Sequence, residues 1–146
     1  MSKTRCELIA SGKFNPINQS RSGWFEGMRY HSYYELKRMY QLKDMLLRKE
    51  IIAFAKNTAV TICYEYEGKV RRYIPDFFIQ YADFFVIEEV KGYEKAVDKI
   101  KATAAVNACA VLAEKFAPII QYRILYKSDL FISEKDYRDF LKEVKI

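Results

Sequence analysis

Hydrophobic and polar positions along the chain follow two alternating periods. From Ser32 to about Lys49, Leu36, Met39, Leu42, Leu46 and Leu47 recur at helical spacing, with Glu35, Met39, Leu42 and Leu46 at i, i+4, i+7 and i+11 of one face. A first helix is expected there. Ser32 stands three residues before Glu35, the S-x-x-E form of a capping box. The period then shortens to two. β-Branched and aromatic residues dominate 59–67, Glu67-Gly68-Lys69 supplies a hairpin turn, and a second strand is predicted over 70–79. After a turn at 80–83 a third strand covers 84–91 and stops at Gly92. Helical spacing returns over 94–116, with Val97, Ile100, Ala104, Ala108, Val111 and Leu112 as the inward side. Pro118 breaks that helix, 119–126 reads as a fourth strand, and 133–144 as a terminal helix capped by Ser133.

The order helix, three-stranded meander, helix, strand, helix predicts an α/β domain, a mixed sheet flanked by helices. Strand four follows a long helix, so it is expected to return parallel to strand three through a right-handed crossover. Gly12, Asn15-Pro16, Ser20, Ser22-Gly23 and Gly27 concentrate the punctuation in residues 1–30. These read as a basic N-terminal arm, loosely structured apart from a short strand, before a single domain at 31–146. Trp24 is expected to pack onto that domain.

At 146 residues, 51% hydrophobic and 30% charged, the chain suits one folded domain. Its apolar runs fall far short of the ~20 residues of a membrane-spanning helix. The N-terminus lacks the apolar region of a secretory signal, so cytoplasmic residence is expected, in the host cell if the chain is viral. Cys6, Cys63 and Cys109 are widely spaced and His31 is the single histidine, which argues against zinc or a disulfide framework. The formal charge of +6 lies in residues 1–49, which hold ten Lys or Arg against four acids. The remainder is balanced. A basic third of this kind suits a polyanionic partner.

Two apolar, β-prone segments carry charges that are costly to desolvate unless compensated. They are Ile74-Pro75-Asp76-Phe77-Phe78 and Val86-Ile87-Glu88-Glu89-Val90-Lys91. Asp76 on one strand and Glu89 on its neighbour can converge on one hard cation such as Mg²⁺. Glu89 and Lys91, two apart on a strand, share a face, so Lys91 would point at the same place and orient an attacking water, deprotonate it, or hold a phosphate. Glu88 projects the other way and is expected to matter little.

Pro75-Asp76 with Glu89-Val90-Lys91, lying between a glutamate-bearing helix and a long helix, resembles the PD-(D/E)xK nuclease superfamily over roughly residues 30–127. Within it, Tyr30-His31-Ser32-Tyr33-Tyr34-Glu35-Leu36, Tyr73-Ile74-Pro75-Asp76-Phe77 and Glu89-Val90-Lys91-Gly92-Tyr93 are similar to small endonucleases of phages and mobile elements. That group includes transposon end-cleaving nucleases and junction-resolving enzymes. The resemblance implies a restriction-endonuclease-like core and a Mg²⁺-dependent DNA endonuclease leaving 5′-phosphate ends, with Mn²⁺ able to substitute. It implies metal binding by Asp76, Glu89 and the Val90 carbonyl, Lys91 at the water, and Glu35 as a further ligand or water holder. Glu26 is the rival for that helix-borne acid. Arg21, Arg29, Lys37, Arg38, Arg71, Arg72, Lys95 and Lys99 are candidate DNA contacts. A single site cuts one strand, so a homodimer is expected for double-strand or junction cleavage. No recognition module is evident, so selectivity would come from DNA shape, the arm or a recruiting protein. Three other readings stay open: a site-specific restriction or homing endonuclease, a non-catalytic nucleic-acid-binding domain of the same fold, and an assembly protein of a phage or transposon complex in which cutting is secondary.

Overall fold

A computed structural model of the chain describes residues 22–57, 60–116 and 119–144. Glu26-Gly27 turns the chain first: both residues have positive φ (48° and 82°), the two-residue hairpin geometry that matches strand twist. The turn joins β1 (Gly23–Phe25) to β2 (Met28–Tyr30), and Phe25, Met28 and Tyr30 pack against the core. Part of the expected arm is thus an ordered hairpin. Trp24 does not pack as expected; it is 67% exposed beneath the Arg29 guanidinium. Residues 1–21 lie outside the described residues, and with them Arg21 and Cys6.

Helix α1 (Tyr33–Leu47) starts where the capping signal puts it, with Ser32 Oγ accepting from the Glu35 N–H at 3.2 Å. Its end is a Schellman motif. Lys49 takes positive φ (63°), its N–H reaches the Leu46 carbonyl, and Glu50 N–H reaches Met45. The chain turns away there, so the expected apolar stripe ends at Leu42, leaving Leu46 and Leu47 exposed.

A strand that pattern reading missed follows: β3 (Ala53–Lys56), an edge strand antiparallel to β6 (Phe77–Gln80). Between them stand β4 (Ile62–Tyr66) and β5 (Lys69–Tyr73), joined at Glu67-Gly68 by a second turn with two positive φ values. This hairpin is a separate two-stranded sheet. The predicted second strand is therefore two. The break falls at Ile74-Pro75-Asp76, where proline lacks the N–H that a ladder needs. Strand β7 (Phe84–Lys91) pairs antiparallel with β6 and parallel with β8 (Ile119–Tyr126), giving the order β3-β6-β7-β8 in a mixed sheet. The return of strand four parallel to strand three is as expected.

Alternation along β6 and β7 divides the sheet's faces. Phe77, Ile79, Val86 and Val90 meet Leu36, Met39 and Leu42 of α1, a cluster closed by Leu130 and Phe131 and by Phe140. Leu130 ends the short helix α3 (Lys127–Leu130); Phe140 lies on α4 (Glu134–Val144), whose start Ser133 caps. Helix α2 (Ala96–Phe116) rests on β8 and on β4. Its buried side is Asp98, Ala105 and Cys109, so the expected inward face is rotated, and Ile100 and Val111 are exposed. Small residues there allow the helix to approach closely. Among the described residues, no helix is long and apolar enough to cross a membrane.

Candidate active site

The register at one end of the sheet explains the site. Phe77 is paired with Glu88, so Asp76 comes next to Glu89, on the same face, just where the antiparallel ladder stops. Just past that ladder the Val90 N–H donates to the Asp76 side chain, reaching Oδ2 at 2.8 Å. The Asp76 carbonyl in turn accepts from Asn57 N–H at 2.9 Å. Proline ends one strand, and the aspartate after it satisfies the next.

Glu35, Asp76, Glu89, Val90, Lys91, Gly92, Tyr93 and Lys95 line one cleft of about 320 Å³, together with Ser32 and Tyr34. All four predicted catalytic side chains meet there. Lys91 Nζ lies 4.0 Å from Glu89 Oε1. Gly92 is needed at its place, because a Cβ would sit 2.8 Å from the ring of Tyr34, which stacks on Tyr137. The glycine that ends β7 thus lets α1 close against the cleft.

Glu35 reaches the site differently from the expected capping box. Its Oε2 accepts from the His31 N–H, one residue before the cap, and from Lys56 Nζ, each at 3.0 Å. Lys56 also stands 3.8 Å from Asp76 Oδ1 and so bridges the two acids. Sequence reasoning missed Lys56 because it missed β3. Glu26, the rival of Glu35, sits in the β1–β2 turn and is ion-paired with Lys43 of α1. The cleft acid is Glu35.

Burial dominates the electrostatics. Desolvation pushes Glu89 up to about 8, with the Asp76 carboxylate adding to the shift against the pull of Lys91. Asp76 is raised to about 6, again mainly by desolvation and then by Glu35, partly offset by the Val90 N–H and Lys56. Glu89 Oε2 is buried and meets no N–H or hydroxyl donor among the described residues; the Asp76 carboxyl is the group its side chain can share a proton with. An orphaned, buried carboxylate oxygen beside a second strained carboxylate is a hard, oxygen-rich donor pair suited to a divalent cation. Among the described residues, no three His, Cys, Asp or Glu side chains close into a ready-made cage. The pair would thus rely on waters, the Val90 carbonyl or Glu35 once freed from Lys56, as Mg²⁺ tolerates.

Glu88 corrects an expectation. It does face away from the cleft, but it is fully buried and accepts from Arg38 Nε (2.6 Å), Arg38 Nη2 (2.9 Å) and Arg123 Nε (2.9 Å). Arg123 stands opposite it in the β7–β8 register and donates onward to the Tyr81 hydroxyl at 3.0 Å. Arg38 is therefore not a DNA contact: it is buried, and its guanidinium is spent on Glu88. Lys37 turns its ammonium over Phe131 and Phe140, 5.3 Å from each ring. Arg29 donates to Ser22 on the first hairpin. Arg71, stacked over Tyr66, and Arg72 are exposed on the second hairpin, and Lys99 is exposed on α2. Of the basic candidates among the described residues, Lys95 is the one lining the cleft. Cys63 and Cys109 are free thiols, and His31 is exposed.

Compared with protein-family models, with curated proteins and with solved structures, the chain matches none.

Proposed function

We propose that this chain is a divalent-metal-dependent DNA endonuclease with a restriction-endonuclease-like core. The observation that carries the reading is the convergence of Asp76, Glu89, Lys91 and Glu35 on one cleft, with an unsatisfied buried oxygen on Glu89. A bound Mg²⁺ or Mn²⁺ would neutralise phosphate oxygens and lower the barrier to attack by water. Asp76 and Glu89 would hold it, along with the Val90 carbonyl. Val90 N–H fixes the Asp76 carboxylate, so one acid is pre-oriented by its partner strand. Lys91, on the same face as Glu89, holds the scissile phosphate or orients the attacking water. Glu35 is kept at the cleft by the His31 N–H and, once released by Lys56, would hold that water. Lys95 at the rim supplies a phosphate contact.

One cleft per chain cuts one strand at a time, so paired cuts require a second copy. Structure-selective or partner-directed action on branched, phage or mobile-element DNA is the substrate class we favour over a restriction or homing site. A second reading, a nucleic-acid-binding domain without chemistry, draws support from Lys56, whose ammonium already bridges Glu35 and Asp76. Supercoiled plasmid, linear duplex and a four-way junction, each incubated with Mg²⁺, Mn²⁺ or EDTA, separate these readings. Metal-dependent cutting, strongly reduced but still measurable in Lys91→Ala with DNA binding retained, is the expected result. Binding without cutting in either metal would favour the second reading.

A further inference from the structure

Asp98 is a buried acid that the proposed chemistry does not use. It lies in the first turn of α2, is 1% exposed, and its Oδ2 accepts the Lys95 N–H at 2.6 Å. That bond caps the helix. Capping alone does not require burial, since helix-start carboxylates normally remain in water. The other oxygen, Oδ1, has no hydrogen-bond partner among the described residues, although Lys91 Nζ lies 3.4 Å away. At that distance the two groups pair as charges without the alignment of a hydrogen bond. Lys91 is closer to Asp98 than to Glu89, which is 4.0 Å away. Its four-carbon stem has many rotamers and leaves β7 at its last residue. Lys101, one turn further along α2, aims its ammonium at the rings of Tyr64 and Tyr73, 5.5 and 5.2 Å away. Lys101 feels Lys91 as a like charge and Asp98 as an opposite one, so the Asp98 carboxylate acts on both lysines.

We propose that Asp98 is the positioning residue for Lys91: one carboxylate oxygen is locked by the start of α2, and the other holds the lysine ammonium at the edge of the Asp76–Glu89 cleft. Helix α2 would then set the geometry of a group on β7 that would contact the scissile phosphate or the water. The inference rests on the nuclease reading above and names a residue outside its motif.

Asp98→Asn is the informative variant, because an amide oxygen can still accept the Lys95 N–H while the charge facing Lys91 is removed. Steady-state cleavage is measured for the wild type, Asp98→Asn, Lys91→Ala and the double variant, with thermal midpoints recorded for each. The expected result is a fall in kcat of about 10- to 100-fold for Asp98→Asn, with KM for DNA nearly unchanged. The double variant should cut no more slowly than Lys91→Ala alone, since a residue acting through Lys91 has nothing left to position. Loss that multiplies in the double variant, or full activity in Asp98→Asn, overturns the proposal while leaving the nuclease reading intact. A wild type that cuts no DNA in Mg²⁺ or Mn²⁺ overturns both.

Discussion

Raising the pH should destabilise the metal-free protein, and a divalent cation should reverse the effect. Asp76 rises from the ordinary 3.8 to about 6, and Glu89 from 4.5 to about 8, both chiefly by desolvation. A carboxyl group whose value is raised on folding favours the folded state while protonated. That contribution is complete below about pH 4 and is lost as pH climbs through the folded values. For Asp76 alone, the rise from 3.8 to about 6 corresponds to about 3 kcal/mol. Glu89 does not add its full share, because part of each shift is the repulsion between the same two groups. In a chain of this length 3 kcal/mol moves the thermal midpoint by about 6–12 °C. Circular-dichroism melts in EDTA from pH 4.5 to 8.5, on wild type and Asp76→Asn, isolate the effect as a difference between the curves. Wild type should lose stability relative to the variant as pH rises. At pH 8, Mg²⁺ at about 100 times its dissociation constant should restore about 2.7 kcal/mol, and at pH 5 little. Parallel curves for the two proteins would refute the argument that burial strains this pair.

Glu88→Ala should cost about 3–5 kcal/mol in a urea titration, since it strands the buried Arg38 guanidinium; an unchanged midpoint would contradict the buried triad. Gly92→Ala should destabilise by about 1–3 kcal/mol by forcing the Tyr34 ring off Tyr137, read by the same titration. Lys56→Met should tighten Mn²⁺ binding by about tenfold, because it removes a competing cation from Glu35 and Asp76; weaker binding in calorimetry would show that Lys56 supports the site instead.

The meeting of Asp76, Glu89 and Lys91 in one cleft was more legible than the sheet around it. Asp76, Glu89 and Lys91 were readable because strand parity and charge cost act locally, and both follow from a few adjacent residues. Helix α1 announced its start through Ser32, and the parallel return of β8 followed from the length of α2. Strand β3 was not legible: four residues, Ala-Phe-Ala-Lys, carry too little alternation, and only pairing with β6 makes them a strand. Lys56 was hidden with it. Glu26-Gly27 carries the same turn chemistry as Glu67-Gly68 and was a usable signal for the first hairpin. The role of Glu88 was invisible because its partners lie 50 residues before it and 35 after it, on another helix and another strand. Its burial nonetheless obeys the rule that made the motif conspicuous: a charge inside a strand is compensated, on one face by arginines and on the other by the groups of the cleft.

On the function proposed above, Asp76 and Glu89, brought together where β6 begins and β7 ends, hold one divalent cation beside Lys91. Calorimetric titration of Mn²⁺ into the wild type and into Asp76→Asn/Glu89→Gln tests it without reference to any DNA substrate. One site per chain in the wild type, abolished in the double variant, is the predicted outcome. Absence of uptake by the wild type, or equal uptake by both proteins, would contradict it.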